Sequence, residues 1–368
     1  MSAPATALTQ EFAFSSLAKF FGETPFVFFG TGLSCAVDRA FGMPALEAAL
    51  ARSILSAELK GSAVPEWEAV KSAISGGSDL ESALNEVSSS ELLDRIRTET
   101  AKHLVGIDKS ACWRLCEGTA EWPAAKMIAR IVEKLPEGSP VLHVLTPNYD
   151  LLFEHAMERL RVPISTGFHG CINRRLDWDR ASLHHSRLAS DGFGPRLRTI
   201  AKPQKHLRLY KVHGSLSYFY HENQLIENLT WAWDPPPFAT RVMVTPGQAK
   251  FAVLQSFRRE LQAPVDQEIE KASSFLFLGY GFNDTHLENY IRQKLVSQQS
   301  NALILTKDLN PRIEKLAADA RKVWVVTSHP GPLGVGCRIY NSAYPAPLIV
   351  DSLDLWRADV FAREILSL

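Results

Sequence analysis

Six short apolar runs predict the strands of a sheet that is buried on both faces. Each run is rich in β-branched and aromatic residues and lacks the alternation of apolar and polar positions that marks a half-exposed strand. Such runs are typical of parallel strands that helices cover on both sides. The predicted strands are Phe26–Phe29, Val141–Thr146, Leu207–Val212, Ser274–Leu278, Ala302–Thr306 and Val323–Thr327.

Helical patterns lie between several of these strands. We predict helices over Leu151–Leu160, over Thr285–Val296 and from Pro311 to about Arg321, since proline suits the first turn of a helix. Strands that alternate with helices predict an α/β fold with a Rossmann-like, doubly wound parallel sheet.

Some segments fall outside this alternation. Residues 45–135 are dominated by Ala, Leu, Glu and Lys and contain no convincing strand, so we predict a large helical insertion. The Rossmann-like core is then discontinuous, formed by residues 1–44 and 136–330. Residues 331–368 are expected to pack on this core as a C-terminal extension. Residues 161–206 are weakly periodic, which predicts a loop-rich excursion.

The composition argues against several classes of protein. The chain of 368 residues is 46% hydrophobic and 22% charged, which is ordinary for a globular protein. Lys+Arg and Asp+Glu are both 40, so there is no overall attraction to nucleic acid or anionic membrane. No run approaches the ~18 apolar residues of a membrane span, and the N-terminus lacks the pattern of a signal peptide. We therefore expect a cytoplasmic protein without membrane contact.

The cysteines indicate neither disulfides nor a metal site. There are five, scattered along the chain, which fits a reducing compartment. They include no Cys-x-x-Cys pair, and nothing near Cys112 and Cys116 completes a tetrahedral site. We therefore expect no zinc and no other metal.

One stretch has a strong local charge bias. Residues 171–211 hold ten Arg or Lys against three Asp. Such a stretch could contact nucleic acid or an acidic partner, or it could be a solvated loop that balances acidic surface elsewhere. We favour the solvated loop over direct contact with nucleic acid.

A glycine-containing turn follows the first predicted strand. In Gly30-Thr31-Gly32-Leu33-Ser34 the glycines would let the backbone turn tightly and place N–H groups against a pyrophosphate at a helix N-terminus. The run is not a full Gly-x-Gly-x-x-Gly, and turns between a strand and a helix are often glycine-rich for structural reasons. Gly30, Thr31, Gly32 and Ser34 are the candidate binding residues here.

Polar side chains also follow the second and third predicted strands. Asn148 and His213 could hold a ribose and activate an oxygen beside it, because an imidazole exchanges protons near neutral pH. Gly214 would permit close approach of a ligand, and Ser215 could hold the imidazole or a hydroxyl. Each residue also has a structural alternative. Asp150 is a further candidate binding residue, although we favour a structural role in which it bonds loop N–H groups. Asn148 and Asp150 could be helix caps or turn formers, and His213 a core histidine.

The fourth predicted strand ends in Gly279-Tyr280-Gly281-Phe282-Asn283-Asp284. This loop could admit the adenosine half of a dinucleotide, or it could simply form a tight turn and helix entry. Because the carboxyl ends of parallel strands lie along one crevice, we expect the four loops to converge. Together they predict a site that binds a dinucleotide and cleaves it at a sugar. Gly279, Gly281, Asn283 and Asp284 are further candidate binding residues.

These motifs resemble those of sirtuin-fold proteins, and more particularly the bacterial sirtuin-like NAD hydrolase domains of anti-phage defence systems. The first turn is similar to the family's Gly-Ala-Gly-x-Ser, and Gly42-Met43-Pro44 to its Gly-Ile/Leu-Pro. Thr146-Pro147-Asn148-Tyr149-Asp150 is similar to Thr-x-Asn-x-Asp, and His213-Gly214 to the catalytic His-Gly. The loop at Gly279 resembles the Gly-Tyr-Ser/Gly-x-x-Asp of the defence branch. The resemblance spans about residues 22–330.

The resemblance implies an NAD+ hydrolase, or NAD+ glycohydrolase, that produces nicotinamide and ADP-ribose with Asn148 and His213 as its essential pair. It implies NAD+ as substrate, no further cofactor, and a role as effector of an abortive-infection system that depletes NAD+ on activation. An unregulated enzyme of this kind would poison its own cell. We therefore expect activation through homo-oligomerisation or a separately encoded partner, which in the family is a translocase-type (HerA-like) ATPase or an Argonaute-like protein.

Departures from the family favour hydrolysis over deacylation. The chain cannot supply the four zinc cysteines of protein-deacetylating sirtuins in their pattern. Ala45-Leu46-Glu47 stands where those enzymes have Asp-Phe-Arg, and Pro147 replaces the usual Gln. Two alternatives stay open. One is an NAD-dependent protein deacylase or ADP-ribosyltransferase, and the other is a non-catalytic subunit that senses NAD or ADP-ribose within a complex.

Overall fold

Strands and helices alternate along much of the chain. The structure, a computed structural model, describes residues 7–191, 198–244, 258–283, 285–332 and 334–368. In chain order the strands are β1 (Phe26–Phe29), β2 (Val141–Thr146), β3 (Ile164–Ser165), β4 (Phe168–His169), β5 (Arg174–Leu176), β6 (Ser186–Asp191), β7 (Arg198–Pro203), β8 (His206–Lys211), β9 (Gly214–His221), β10 (Gln224–Glu227), β11 (Thr240–Met243), β12 (Ser274–Leu278), β13 (Asn301–Leu305), β14 (Val323–Ser328), β15 (Cys337–Tyr340) and β16 (Leu348–Val350).

The α-helices of the described residues cover both faces of the main sheet and form a separate helical segment. In chain order they are α1 (Gln10–Lys19), α2 (Thr31–Val37), α3 (Met43–Ser53), α4 (Ala63–Ser75), α5 (Leu80–Leu84), α6 (Ser90–Glu117), α7 (Ala125–Glu133), α8 (Leu152–Arg159), α9 (Trp178–Leu183), α10 (Ala263–Lys271), α11 (Thr285–Arg292), α12 (Pro311–Asp319) and α13 (Ala358–Leu366). Within the part of the chain that the structure describes, none of these helices is both long and apolar enough to cross a membrane.

The main sheet has the doubly wound order expected from the sequence. Its strands run β16-β15-β14-β13-β12-β1-β2-β8-β3. From β14 to β3 all neighbours are parallel, and β15 and β16 continue the sheet antiparallel. The chain proceeds outward from β1 through β2 to β8, then returns to β12 and proceeds the other way. The two directions meet between β1 and β12, where such sheets place their ligand crevice.

All six predicted strands are present. Three have the predicted bounds. The strands starting at His206 and Asn301 begin and end one residue earlier than predicted, and the strand starting at Val323 ends one residue later. Alternate residues of β1 face opposite sides of the sheet: Val27 and Phe29 belong to one hydrophobic core, and Phe26 and Phe28 to the other. A strand that is buried on both faces has no polar positions to alternate with apolar ones, which is why continuous apolar runs identified it.

The expectation of a loop-rich excursion over residues 161–206 is wrong. These residues contain β3 to β7 and helix α9. Strands β4 and β5 join β9, β10 and β11 in a second, five-stranded antiparallel sheet with the order β11-β9-β10-β5-β4. Strands β3, β4 and β5 have only two or three residues, which is too short to show periodicity. Strand β7 is exposed along most of its length, so no buried apolar face marks it in the sequence. The pair β6 and β7 forms a separate two-stranded ribbon.

Residues 45–135, all of which the structure describes, form helices and no strand. Part of this segment has its own hydrophobic core, in which Trp67 is buried and donates its indole N–H to the carbonyl of Ile54 at 2.9 Å. The long helix α6 starts in that core and ends in the main one, where Cys112 and Leu115 are buried. Helix α6 therefore connects the helical segment to the sheet.

The C-terminal residues complete the main sheet and one of its faces. Strands β15 and β16 extend the sheet beyond β14. Leu355 and Phe361 are fully buried in the same core as Ala13 and Leu17 of α1. The first and last helices of the described chain thus pack together.

Candidate functional site

Asn148 and His213 lie on neighbouring loops at the carboxyl edge of the main sheet. Strands β2 and β8 are parallel neighbours, and the last residues of the two strands, Thr146 and Lys211, are paired. Asn148 and His213 each follow two residues later. Both side chains are largely buried, with exposed fractions of 6% and 8%. The amide and the imidazole therefore come from adjacent strand ends, as the sequence predicts for parallel strands.

Hydrogen bonds to helix α2 orient the Asn148 amide. Its Nδ2 donates to Ser34 Oγ at 3.1 Å, and its Oδ1 accepts from Thr31 Oγ1 at 3.3 Å. Ser34 Oγ in turn donates to Asp150 Oδ2 at 2.7 Å. An amide has two N–H donors and two acceptor lone pairs, so these two bonds fix its orientation and use half of its capacity. Oriented amides of this kind suit ligand hydroxyl groups.

The glycines of the first turn pack backbone against backbone on the loop after β12. A Cβ atom on Gly30 or Gly32 would lie 2.6 or 2.8 Å from the Gly279 carbonyl oxygen, which is too close for any side chain. The N–H groups of Gly30 and Gly32 donate to the carbonyls of Leu278 and Gly279. These glycines are therefore required for close packing at the switch point between β1 and β12. Their role toward a pyrophosphate stays a prediction.

The remaining residues of the loop after β12 face a different neighbour. The Gly281 carbonyl accepts from Asn310 Nδ2 at 2.7 Å, and the Phe282 carbonyl from Arg312 Nη1 at 2.9 Å. The structure therefore joins Gly281 to the loop after β13, whereas Gly279 meets the first glycine turn. Asn283 is exposed. Asp284 lies outside the described residues.

Gly214 stands at the junction of the two sheets, directly after His213. Its φ of +88° is in the left-handed region, and a Cβ there would lie 2.0 Å from the Val242 carbonyl oxygen. The His213 carbonyl accepts from Val244 N–H at 2.8 Å. The backbone on either side of the imidazole is thus held by β11 and the residue that follows it. Only glycine fits next to His213.

Beneath the Asn148 loop is a buried cluster of charges. Lys211, 2% exposed, lies 2.7 Å from the Glu154 carboxylate, donates to the Asp150 carbonyl, and contacts Ser215 Oγ at 3.3 Å. Burial raises the pKa of Asp150, and the positive charge of Lys211 and the Ser34 hydrogen bond oppose the rise. Asp150 accepts from Ser34 Oγ and from Leu152 N–H, as its structural alternative requires, and the Ser215 hydroxyl also bonds within the protein.

Asp108 is a buried residue next to the Asn148 loop that was not predicted from the sequence. On helix α6, with no exposed surface, it accepts hydrogen bonds from Leu151 N–H at 2.8 Å and from Trp233 Nε1–H at 2.7 Å. A signal was available, because Asp108 lies on the same face of α6 as the buried residues Leu104 and Cys112. Lys211 carried a comparable signal as a lysine within an apolar, doubly covered strand.

The described residues include no group of three or more His, Cys, Asp or Glu that could hold a metal ion. The five cysteines are all unpaired by disulfides.

The fold and site define a class of protein: a doubly wound α/β protein whose polar side chains gather at the carboxyl edge of the sheet, where such folds bind nucleotides. Residues 142–323, just under half of the chain, match the family model of the SIR2-like domain. These residues, which include Asn148 and His213, are thus similar to the SIR2-like domain, and the match supports an NAD-related, sirtuin-type activity.

The chain was also compared with solved structures and with curated proteins. The chain is similar to a solved structure from work on the mechanism and regulation of Sir2 enzymes, with 13% identity and a TM-score of 0.40 over 82% of this chain and 89% of that one. No curated protein matches the sequence.

Proposed function

We propose that the protein is an NAD+ glycohydrolase that cleaves NAD+ to nicotinamide and ADP-ribose. The observation that carries the proposal is the pairing of an oriented amide with an imidazole within a SIR2-like domain. Thr31 and Ser34 fix the Asn148 amide, and His213 follows the adjacent strand end.

The chemistry requires little of the protein besides orientation and a base. The nicotinamide ring of NAD+ is cationic, so it leaves as a neutral ring when the bond from its nitrogen to ribose C1′ breaks. No general acid is needed for that departure. Asn148 would bind a ribose hydroxyl or the attacking water, and His213 would take the proton of that water as its oxygen bonds to C1′. A general base of this kind contributes about 100- to 10,000-fold.

The direct test measures nicotinamide and ADP-ribose after purified protein is incubated with NAD+. We expect His213→Ala and Asn148→Ala each to lower turnover by at least about 100-fold. His329→Ala is the matched control, since its imidazole binds Arg338 near the C-terminus. Turnover that survives both site substitutions would exclude the assignment. ADP-ribose attached to protein would indicate transfer, deacetylation of an acyl-lysine peptide would indicate a deacylase, and tight NAD+ binding without turnover would indicate a sensing subunit.

We further propose that the enzyme acts as the effector of an anti-phage system and is restrained until it assembles. Unrestrained loss of NAD+ would kill the host cell, so such an enzyme must be inactive until it is needed. NAD+ cleavage should therefore be measured with and without the product of the neighbouring gene, with a HerA-like ATPase or an Argonaute-like protein as candidate partners. Mass measurements in solution would test whether activity accompanies homo-oligomerisation. Equal activity of the isolated monomer and of every assembly would contradict the proposal.

A further inference from the structure

Asp108 joins three parts of the protein through one carboxylate. It lies midway along α6, its Oδ1 accepts from Leu151 N–H at 2.8 Å, and its Oδ2 accepts from Trp233 Nε1–H at 2.7 Å. Leu151 comes three residues after Asn148 and occupies the cap position directly before helix α8. Trp233 belongs to the segment between β10 and β11 of the second sheet. The helical segment, the Asn148 loop and the second sheet therefore meet at Asp108.

The contact with Leu151 adds to a local helix cap. The first N–H groups of a helix have no partner within the helix and usually take one from a capping side chain. Asp150 Oδ1 accepts from Leu152 N–H at 3.3 Å, whereas Leu151, at the cap position of α8, has no capping side chain of its own. Asp108 supplies the acceptor for Leu151 N–H from another helix. The direction in which the chain leaves the Asn148 loop thus depends on a residue 40 positions earlier.

Opposing charges surround this carboxylate. Asp108 interacts electrostatically with four ionisable groups, which are Asp150, Lys211, Arg241 and Cys112. Glu154 is paired with Lys211. Burial raises the pKa of Asp108 to about 7, and the negative charge of Asp150 adds to the rise. The hydrogen bonds from Trp233 and Leu151 and the charge of Lys211 act in the opposite direction.

We propose that Asp108 is a positioning residue for NAD+ cleavage, which holds the Asn148 loop against helix α6 and so makes the helical segment part of the support of the site. The expected effect on NAD+ cleavage rests on the proposed function. The attachment of the Asn148 loop to helix α6 rests on geometry alone. Asp108 accepts from the Leu151 backbone N–H, so its effect on the Asn148 amide would pass through the backbone of the intervening residues.

Protonation would weaken this support. An ionised carboxylate accepts hydrogen bonds at both oxygens. A protonated carboxyl group carries an O–H on one oxygen, and this O–H would face the N–H donor of Leu151 or of Trp233. Since the pKa of Asp108 is raised to about 7, the fully accepting form predominates above that pH and is lost below it. The loop should therefore be held best in mildly alkaline solution.

The kinetic test compares Asp108→Asn with Glu99→Gln. Glu99 is a matched control because it is a mostly buried acid on the same helix, paired with Lys102 at 2.8 Å and away from the Asn148 loop. An asparagine can accept only through one oxygen, so one donor loses its partner. We expect kcat of Asp108→Asn to fall about 10- to 100-fold with KM within about twofold, as for a small misplacement of a reacting group. A kcat within twofold of the Glu99→Gln value overturns the proposal.

The structural test needs no catalytic activity. Backbone hydrogen exchange of peptides covering residues 146–153 should accelerate in Asp108→Asn and not in Glu99→Gln. In protein labelled with ¹⁵N-tryptophan, the Trp233 indole resonance, assigned through Trp233→Phe, should shift with a midpoint near pH 7 and stay constant in Asp108→Asn. Trp233→Phe also serves as a milder variant, with a smaller loss of kcat, should Asp108→Asn fold poorly. Unchanged exchange together with an indole that does not titrate overturns the proposal. If the wild-type protein cleaves no NAD+, the proposed function fails, and these two measurements still decide the role of Asp108.

Discussion

Replacement of Lys211 by methionine tests whether the buried charge cluster is balanced by a single cation. Lys211 is 2% exposed and lies 2.7 Å from the Glu154 carboxylate. Methionine preserves most of the side-chain volume and removes the charge. The substitution leaves Glu154, Asp150 and Asp108 as neighbouring buried acids without this counter-charge.

The expected loss in the free energy of unfolding can be estimated in two ways, which give similar values. If the acids stay ionised, loss of one partner of a buried ion pair costs about 3–5 kcal/mol. If one acid instead takes up a proton, an ordinary glutamate with a pKa of about 4.3 must be neutralised at pH 7, which costs about 1.4 kcal/mol per unit, or about 4 kcal/mol. We therefore expect the free energy of unfolding of Lys211→Met to be about 3–4 kcal/mol lower than that of the wild type at pH 7.

The pH dependence gives the sharper test. Burial raises the folded pKa of Asp150 and of Asp108, and Lys211 opposes both rises. In the variant the folded state therefore binds more protons than the unfolded state and becomes more stable relative to it as pH falls. The neutralisation cost shrinks to about 1 kcal/mol at pH 5. Urea unfolding at pH 5, 6 and 7 measures the difference. Lys294→Met is the control, because this buried lysine donates to the backbone carbonyl of Glu270 at 2.6 Å. A pH-independent deficit equal to that of the control would refute the reasoning.

Three further substitutions test other parts of the structure. Gly214→Ala would place a Cβ 2.0 Å from the Val242 carbonyl oxygen at a φ of +88°. We expect it to lower the free energy of unfolding by about 3 kcal/mol or more, measured by urea unfolding. Ser34→Ala removes the acceptor of the Asn148 amide, so kcat for NAD+ cleavage should fall about tenfold or more with modest change in KM. Asp108→Asn removes an acid whose folded pKa of about 7 lies above its ordinary value of 3.8. Wild-type stability relative to this variant should therefore decrease by up to about 4 kcal/mol as pH rises from about 4 to 7 in urea unfolding.

Each of these expectations has a clear contrary result. Gly22→Ala is the control for Gly214→Ala because nothing lies within 4 Å of its added Cβ, and equal stability of the two variants would contradict the steric argument. Ser75→Ala is a surface control for Ser34→Ala, since Ser75 donates to a carbonyl of its own helix. Equal kcat in these two serine variants would exclude a role for Ser34. A constant stability difference across pH 4 to 7 would contradict the raised pKa of Asp108.

The strands of the main sheet could be predicted from the local pattern of apolar positions. A strand buried on both faces has few polar positions, and so β1, β2 and β12 appear in the sequence as largely apolar runs with the observed bounds. The second sheet was not readable. Its strands β4 and β5 are two and three residues long, shorter than any pattern that could distinguish them from a loop. The longer strand β9 has the buried polar residues Ser215 and Ser217 in place of a continuous apolar run.

The candidate site was readable in part. Asn148 and His213 stand out because polar residues two positions beyond an apolar strand must lie at its carboxyl end. Asp108 does not stand out in the same way, because its partner Leu151 is 43 positions away and contributes only a backbone N–H, which every residue but proline possesses.

By itself, the sequence determined which segments are buried strands and which residues follow them, because both depend on the local alternation of apolar and polar positions. The tertiary structure alone decided which loops touch. It placed Ser34 on Asn148 across 114 positions and showed that the glycines at Gly30 and Gly32 are required by the Gly279 backbone. It also placed Lys211 and Asp108 beneath the site. The physical reason is that such pairings follow from the order of strands and the packing of helices across the sheet, which no short stretch of sequence contains.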